Sequence, residues 1–177
     1  VGFIPDFYRT NLRDLSYAFA RGVASINKKV VIIPQTVGAQ ASEDALSMIR
    51  RGADVIYSTF NSDSEVINEV SKFNSVKKPV RYIGVLPDQF YLKNEKAKKV
   101  LLGATRKRVD TATYDLIAYG VAGRSYIDVL NDAQGVFGHE YTVQDGGVEF
   151  LVPTLGRSYI PAILKAQAQL KAGKIKL

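Results

Sequence analysis

Ser42-Glu43-Asp44-Ala45-Leu46-Ser47-Met48-Ile49-Arg50-Arg51-Gly52-Ala53-Asp54-Val55-Ile56-Tyr57 reads as one helix, its stop and the strand that follows. Ser42 with two acids supplies an N-cap and an acidic first turn, where unpaired N–H groups and the positive helix end favour oxygen and negative charge. Ala45, Met48 and Ile49 recur at helical spacing and form an inner face. Arg50-Arg51 suit the last turn, Gly52 the left-handed position after it, and Val55-Ile56-Tyr57 a short buried strand.

The same alternation extends in both directions. Upstream, Val1 to Ile4 reads as a strand. Leu12, Leu15, Phe19, Val23 and Ile26 mark one face of a helix, and Val30 to Ile33 is a second strand ended by Pro34. Downstream, Ser62 and Glu65 have capping-box spacing before Val66, Val70 and Phe73, and Pro79 precedes a strand from Val80 to Val85. Short apolar strands alternating with amphipathic helices predict an α/β fold, a doubly wound parallel sheet covered on both faces.

Beyond Lys99 the pattern changes. Val100 to Lys107 reads as a strand, and Asp110 as the cap of a helix that Gly123 stops, with Val109 and Tyr114 placed as a hydrophobic staple. Tyr114, Ile117 and Val121 give that helix an apolar face. Phe137 to Val143 and Val148 to Val152 flank the turn signal Gln144-Asp145-Gly146-Gly147, and a last helix runs from about Ser158 to Ala172, with Pro161 in its first turn. Gly-Arg-Ser-Tyr-Ile occurs at Gly123 and again at Gly156, once after a helix and once before one, so it is not a structural repeat.

Composition narrows the chemistry. The 177 residues are 46% hydrophobic, enough to build one core, and contain no Cys, which removes disulfides, zinc thiolates and a thiol nucleophile. The longest apolar runs are too short to cross a bilayer. The opening inside a strand-like run without Met points to a processed or truncated polypeptide. A formal charge of +7 comes from scattered pairs, Lys28-Lys29, Arg50-Arg51, Lys77-Lys78 and Lys98-Lys99. These read as solvated helix ends, with an anionic partner as the alternative.

The single histidine, His139, has no evident nucleophile to serve. No Walker loop or dinucleotide fingerprint follows a strand, and the carboxylates lack metal-ligand spacing. No catalytic, metal-binding or cofactor-binding residues are expected, and the chain reads as a binding protein, not an enzyme. In open α/β sheets ligands sit on the loops after the strands. Those loops, Pro5 to Tyr8, Ser58 to Asp63 and Leu86 to Tyr91, combine aromatic and small polar residues. That mix suits a flat polar heterocycle; sealing of the sheet ends is the structural alternative.

The order of segments resembles the basic membrane protein (purine nucleoside receptor) family of ABC-transporter receptors. Val1-Gly2-Phe3-Ile4 with Ala18-Phe19-Ala20-Arg21-Gly22-Val23, Gly52-Ala53-Asp54-Val55-Ile56-Tyr57, Ile83-Gly84-Val85 with Pro87-Asp88-Gln89, Lys107-Arg108-Val109-Asp110 with Tyr114-Asp115, and Asp145-Gly146-Gly147-Val148 carry the likeness. Single pieces are common; together and in order they span nearly the whole chain.

The resemblance implies a Venus-flytrap protein of the type I periplasmic-binding fold. Residues 1–104 would be its second lobe, and residues 105–177 the hinge crossings and segments packing on a first lobe absent here. It implies an extracytoplasmic protein, in the periplasm or on the cell surface, lipid-anchored through a missing N-terminal segment. Its partners would be a purine nucleoside or similar solute and a membrane permease, with no nucleic acid. The ligand would be contacted by Phe7, Phe60, Asn61, Asp63, Asp88 and Lys107, the last matching the family's hinge lysine. Phe60, Asn61, Ser62 and Asp63 stand where the family has a glycine-rich loop. Leu86 replaces the aspartate that engages ribose hydroxyls, leaving Asp88 as the nearby acceptor and the ligand's identity open. An effector domain of a transcription regulator and a small-molecule enzyme of doubly wound fold are the alternatives.

Overall fold

The computed structural model describes residues 1–5, 12–34, 40–59, 63–75, 78–85, 95–124, 129–131, 136–137 and 141–175. In chain order the described elements are β1 (Gly2–Ile4), α1 (Leu12–Ile26), α2 (Ala41–Arg50), β2 (Val55–Ser58), α3 (Asp63–Phe73), β3 (Arg81–Gly84), α4 (Glu95–Val100), β4 (Leu101–Lys107), α5 (Val109–Val121), β5 (Val129–Asn131), β6 (Val136–Phe137), β7 (Val148–Leu151), a 3-10 helix (Thr154–Tyr159) and α6 (Ile160–Lys171). They fall into two compact units. The larger holds Val1–Thr105 and Phe150–Leu177, and the smaller Arg106–Glu149.

The fold is α/β, with a five-stranded sheet in the order β1-β2-β3-β4-β7. Its first four strands are parallel: Phe3 pairs with Tyr57, Tyr57 with Ile83, and Ile83 with Gly103. β7 lies beside β4 at one edge. At the opposite edge the expected Val30 to Ile33 strand is reduced to a single parallel bridge, Gly2 with Ile33, where the Ile33 N–H donates to the Val1 carbonyl at 2.8 Å. Pro34 comes next and has no N–H with which to extend an outer edge.

Side-chain alternation along β1 and β2 divides the helices between two faces. Ile4 and Ile56 are fully buried in a cluster with Ala41, Ala45, Met48 and Ile49 of α2, Val66, Ile67 and Val70 of α3, and Ala97 and Val100 of α4. The intervening residues point the other way. Phe3 and Tyr57 stack with Phe19 of α1, the Phe3 and Phe19 ring centroids 4.4 Å apart. So α2, α3 and α4 cover one face and α1 the other.

Several local expectations need correction. α2 starts at Ala41, with Gln40 rather than Ser42 at its cap and no side-chain cap bond, so Ser42 lies within the first turn. Gly52, at φ 98°, does stop that helix. Residues 95–100 form a helix that has no counterpart in the sequence reading, too short and too lysine-rich to show an apolar period, and the strand begins after it at Leu101. The 3-10 helix precedes the last α-helix, which starts at Ile160 rather than Ser158. Gly156 packs on β4 so closely that a Cβ there would lie 2.2 Å from the Leu102 carbonyl oxygen.

In the smaller unit β5 and β6 pair antiparallel, Val129 with Phe137. The expected strand from Phe137 to Val143 is described only at Phe137, Tyr141 to Val143 are not in a strand, and His139 lies outside the described residues. The turn at Gln144 to Gly147 is present. Asp145 accepts bonds from the Thr142 N–H and hydroxyl, and the Gly147 N–H donates to the Thr142 carbonyl at 2.8 Å. Asp110 does not cap α5, whose cap is Arg108, and Val109 and Tyr114 are both exposed, so no staple forms. No residue of α5 is buried: Tyr114 is 72% exposed, Ile117 62% and Val121 86%.

These contacts separate two glycines. Gly156→Ala is expected to destabilise the chain by about 1–3 kcal/mol through overpacking. Gly22→Ala, inside α1 with nothing near its new methyl group, is expected to stabilise by about 0.5–1 kcal/mol. Urea-unfolding midpoints of the two variants check the opposite signs.

Candidate functional site

β1 has neighbours on both sides, Ile33 and β2. The chain leaves β1 through α1 on one face to reach the Ile33 edge. It returns through α2 on the other face to β2. The connections after β1 and after β2 therefore lead to helices on opposite faces, α1 and α3. This is the switch point at which open α/β sheets bind ligands. The roots of the two loops are adjacent: Ile4 pairs with Ser58, and the Thr59 N–H donates to the Ile4 carbonyl at 3.0 Å. Along the next strands, the Thr105 hydroxyl approaches the Gly84 carbonyl at 3.4 Å.

Polar burial is concentrated at this corner. Among the described residues the buried polar or charged side chains are Asp44, Ser58 and Thr59, and each is partnered. α2 runs against the strand direction, and Met48 lies over Gly2 and beside Ile56. One helical turn back from Met48 is Asp44; two residues on from Gly2 and Ile56 are Ile4 and Ser58. The two steps are about 6 Å each and bring Asp44 to the level of Ser58. Placing a carboxylate and two hydroxyls in an otherwise apolar core carries a desolvation cost of about 1–3 kcal/mol for each group left unbonded, so such groups persist where hydrogen bonds hold them.

By its position after Ser42, Asp44 reads as part of a helix start. Its spacing gives a different signal: three residues after Ala41, one before Ala45 and four before Met48, it falls inside the buried stripe of α2. Of the residues expected to touch a ligand, Phe7, Phe60, Asn61 and Asp88 lie outside the described residues. Asp63 is the first residue of α3, and Lys107 is the exposed last residue of β4, carried on the smaller unit.

The smaller unit begins and ends in a charged network that the sequence reading did not single out. The Arg106 guanidinium donates to Glu149, and Glu149 lies 3.6 Å from Arg108. Arg108 Nε donates to both Asp110 carboxylate oxygens, at 2.9 and 3.0 Å, and its backbone N–H donates to the Gly147 carbonyl at 2.8 Å. Elsewhere in the unit, the Tyr141 hydroxyl donates to Asp115 at 3.0 Å.

No protein-family model matches the chain, and no characterised protein does. Among the described residues there is no group of three or more acidic or histidine side chains that could hold a metal ion, and no helix long and apolar enough to cross a membrane.

The Arg108 hydrogen bond holds the Asp110 carboxyl below the usual aspartate range; desolvation opposes it, and the charge of Arg108 adds to the lowering. A carboxyl depressed in the folded state contributes stability at neutral pH, and that contribution fades as pH falls through its folded value. A carbon-detected NMR titration should therefore give Asp110 a midpoint below that of an unstructured aspartate, and Arg108→Gln should raise it.

Proposed function

We propose that this chain is the ligand-binding half of a two-lobed, extracytoplasmic solute-binding protein that delivers a small heterocyclic solute, a nucleoside or related base, to a membrane permease of an ABC transporter. The observation that carries the reading is the switch point between β1 and β2, where the connection that includes Phe7 and the connection that includes Phe60 and Asn61, with Asp63 opening α3 just beyond, take root side by side. A heterocycle there would stack on a phenylalanine face and meet hydrogen-bonding groups at its edge. Asp88, on the loop after β3, would accept from the ligand, and Lys107 would donate to it.

The likeness in segment order to the basic membrane protein family supports the same reading, as does the apolar, unburied face of α5. Leaving Tyr114, Ile117 and Val121 in water forgoes roughly 1.5–3 kcal/mol for each large side chain, and a second lobe would cover them. A ligand held by both lobes has more contacts in the closed form than in the open one. That difference in affinity shifts the population toward closure, and the closed form is the one a permease would read.

Calorimetry on the full-length protein with nucleosides, free bases and sugars tests this. Nucleosides or bases are expected to bind and sugars alone not to, and Phe60→Ala should weaken binding about tenfold through loss of stacking. Lys107→Ala should weaken it as well. Tight nucleoside binding unchanged in both variants would overturn the site assignment, and absence of binding by every nucleoside and base would overturn the reading.

A further inference from the structure

In the sequence the basic pairs are scattered; in the fold they gather. Helices that link parallel strands run against them, so every such helix ends where the next strand begins. Lys28 and Lys29 follow α1, and Arg50 and Arg51 end α2. Lys72 lies in the last turn of α3, and Lys98 and Lys99 in the last turn of α4. All belong to the end of the sheet where the strands start, opposite the switch point. The ends of α3 and α4 meet there: Asn74, just beyond α3, donates to the Lys99 carbonyl at 3.4 Å, as Arg81 does at 3.1 Å.

Acidic groups offset little of this charge. Glu69 meets Lys72, Glu95 meets Lys98, and Asp54 is exposed before β2. Lys28, Lys29 and Lys78 are exposed and have no acidic partner among the described residues, and Lys99, also exposed, makes no ion pair and adds only its charge to the field at Glu95. Complementing a helix dipole accounts for one cation at a helix end, worth a few tenths of a kcal/mol to 1 kcal/mol. It does not account for pairs, nor for what stands among them. Ile26 is 67% exposed, Val31 73% and Phe73 39%, all at this same end of the sheet.

We propose that this basic end is a membrane-docking face that settles on an anionic lipid surface, with lysines at the phosphates and Ile26, Val31 and Phe73 entering the headgroup layer. Lysine is a flexible point charge suited to a fluid array of headgroups, and apolar side chains among cations combine the two attractions that interfacial binding requires. Nucleic acid would use the charges and leave the aliphatic side chains in water. Docking by this end would hold the switch-point end of the sheet away from the surface, and the inference stands independently of what binds there.

Vesicle flotation of the purified protein tests it, with phosphatidylcholine alone and with roughly one-third phosphatidylglycerol. The protein should float with the anionic vesicles, stay behind with the neutral ones, and release as salt rises. Each lysine removed should weaken partition about fivefold. The combined Lys28→Glu, Lys29→Glu, Lys78→Glu and Lys99→Glu variant should lose at least about a hundredfold, with thermal melting verifying that it is folded. Ile26→Ser with Val31→Ser should lose about tenfold with the charges intact. Failure of the wild-type protein to float with anionic vesicles, flotation undiminished in either variant, or tighter binding to duplex DNA at equal phosphate would each overturn the proposal.

Discussion

β1 is held from both sides, bridged to Ile33 along one edge and paired from Gly2 to Ile4 with β2 along the other. A three-residue strand in that position must be entered and left by connections of one handedness, because parallel crossovers are right-handed. The consequence is that α1 and α2 go to opposite faces. The aromatic stack of Phe3, Phe19 and Tyr57 forms on one side and the aliphatic cluster around Ile4, Ile56 and Met48 on the other. Were Ile33 placed beyond β2 instead, the two connections would leave toward the same face and there would be no switch point between them.

The sheet therefore has two unlike ends. Where the strands finish, α2 starts with Glu43 and Asp44 in its first turn, while Asp44, Ser58 and Thr59 are buried polar groups. Where the strands start, the helices finish in lysines and arginines among exposed aliphatic side chains. The core cluster between them is almost wholly apolar. Both asymmetries lie at surfaces where binding partners act, and the helix dipoles favour each of them.

Much of this was legible before any coordinates. The α2 to β2 unit, apart from its cap, is legible because three independent signals agree there: an apolar helical period, a glycine that adopts positive φ, and a β-branched run. What was not legible fails for identifiable reasons. The helix at Glu95–Val100 is shorter than two turns and presents four charged residues in six, so no period can emerge. Asp110 has the identity of a cap but sits two residues inside α5, where Arg108 takes its carboxylate. Asp44 is read as a solvated acid from composition and as a buried one only from its spacing. The basic end is invisible to any local window, since its members are brought together by helix direction and strand order. The contacts of the expected ligand residues Phe7, Phe60, Asn61 and Asp88 lie outside the described residues.

The central claim is that the ends of β1 and β2 act as one binding corner. Hydrogen–deuterium exchange of the full-length protein, with and without a saturating nucleoside, addresses it most directly. The account predicts that residues 5–11 and 59–64 gain protection together, while the segments around Lys28 and Lys78 do not change. Protection confined to one of the two loops, or appearing at the end of the sheet where the strands begin, would contradict it.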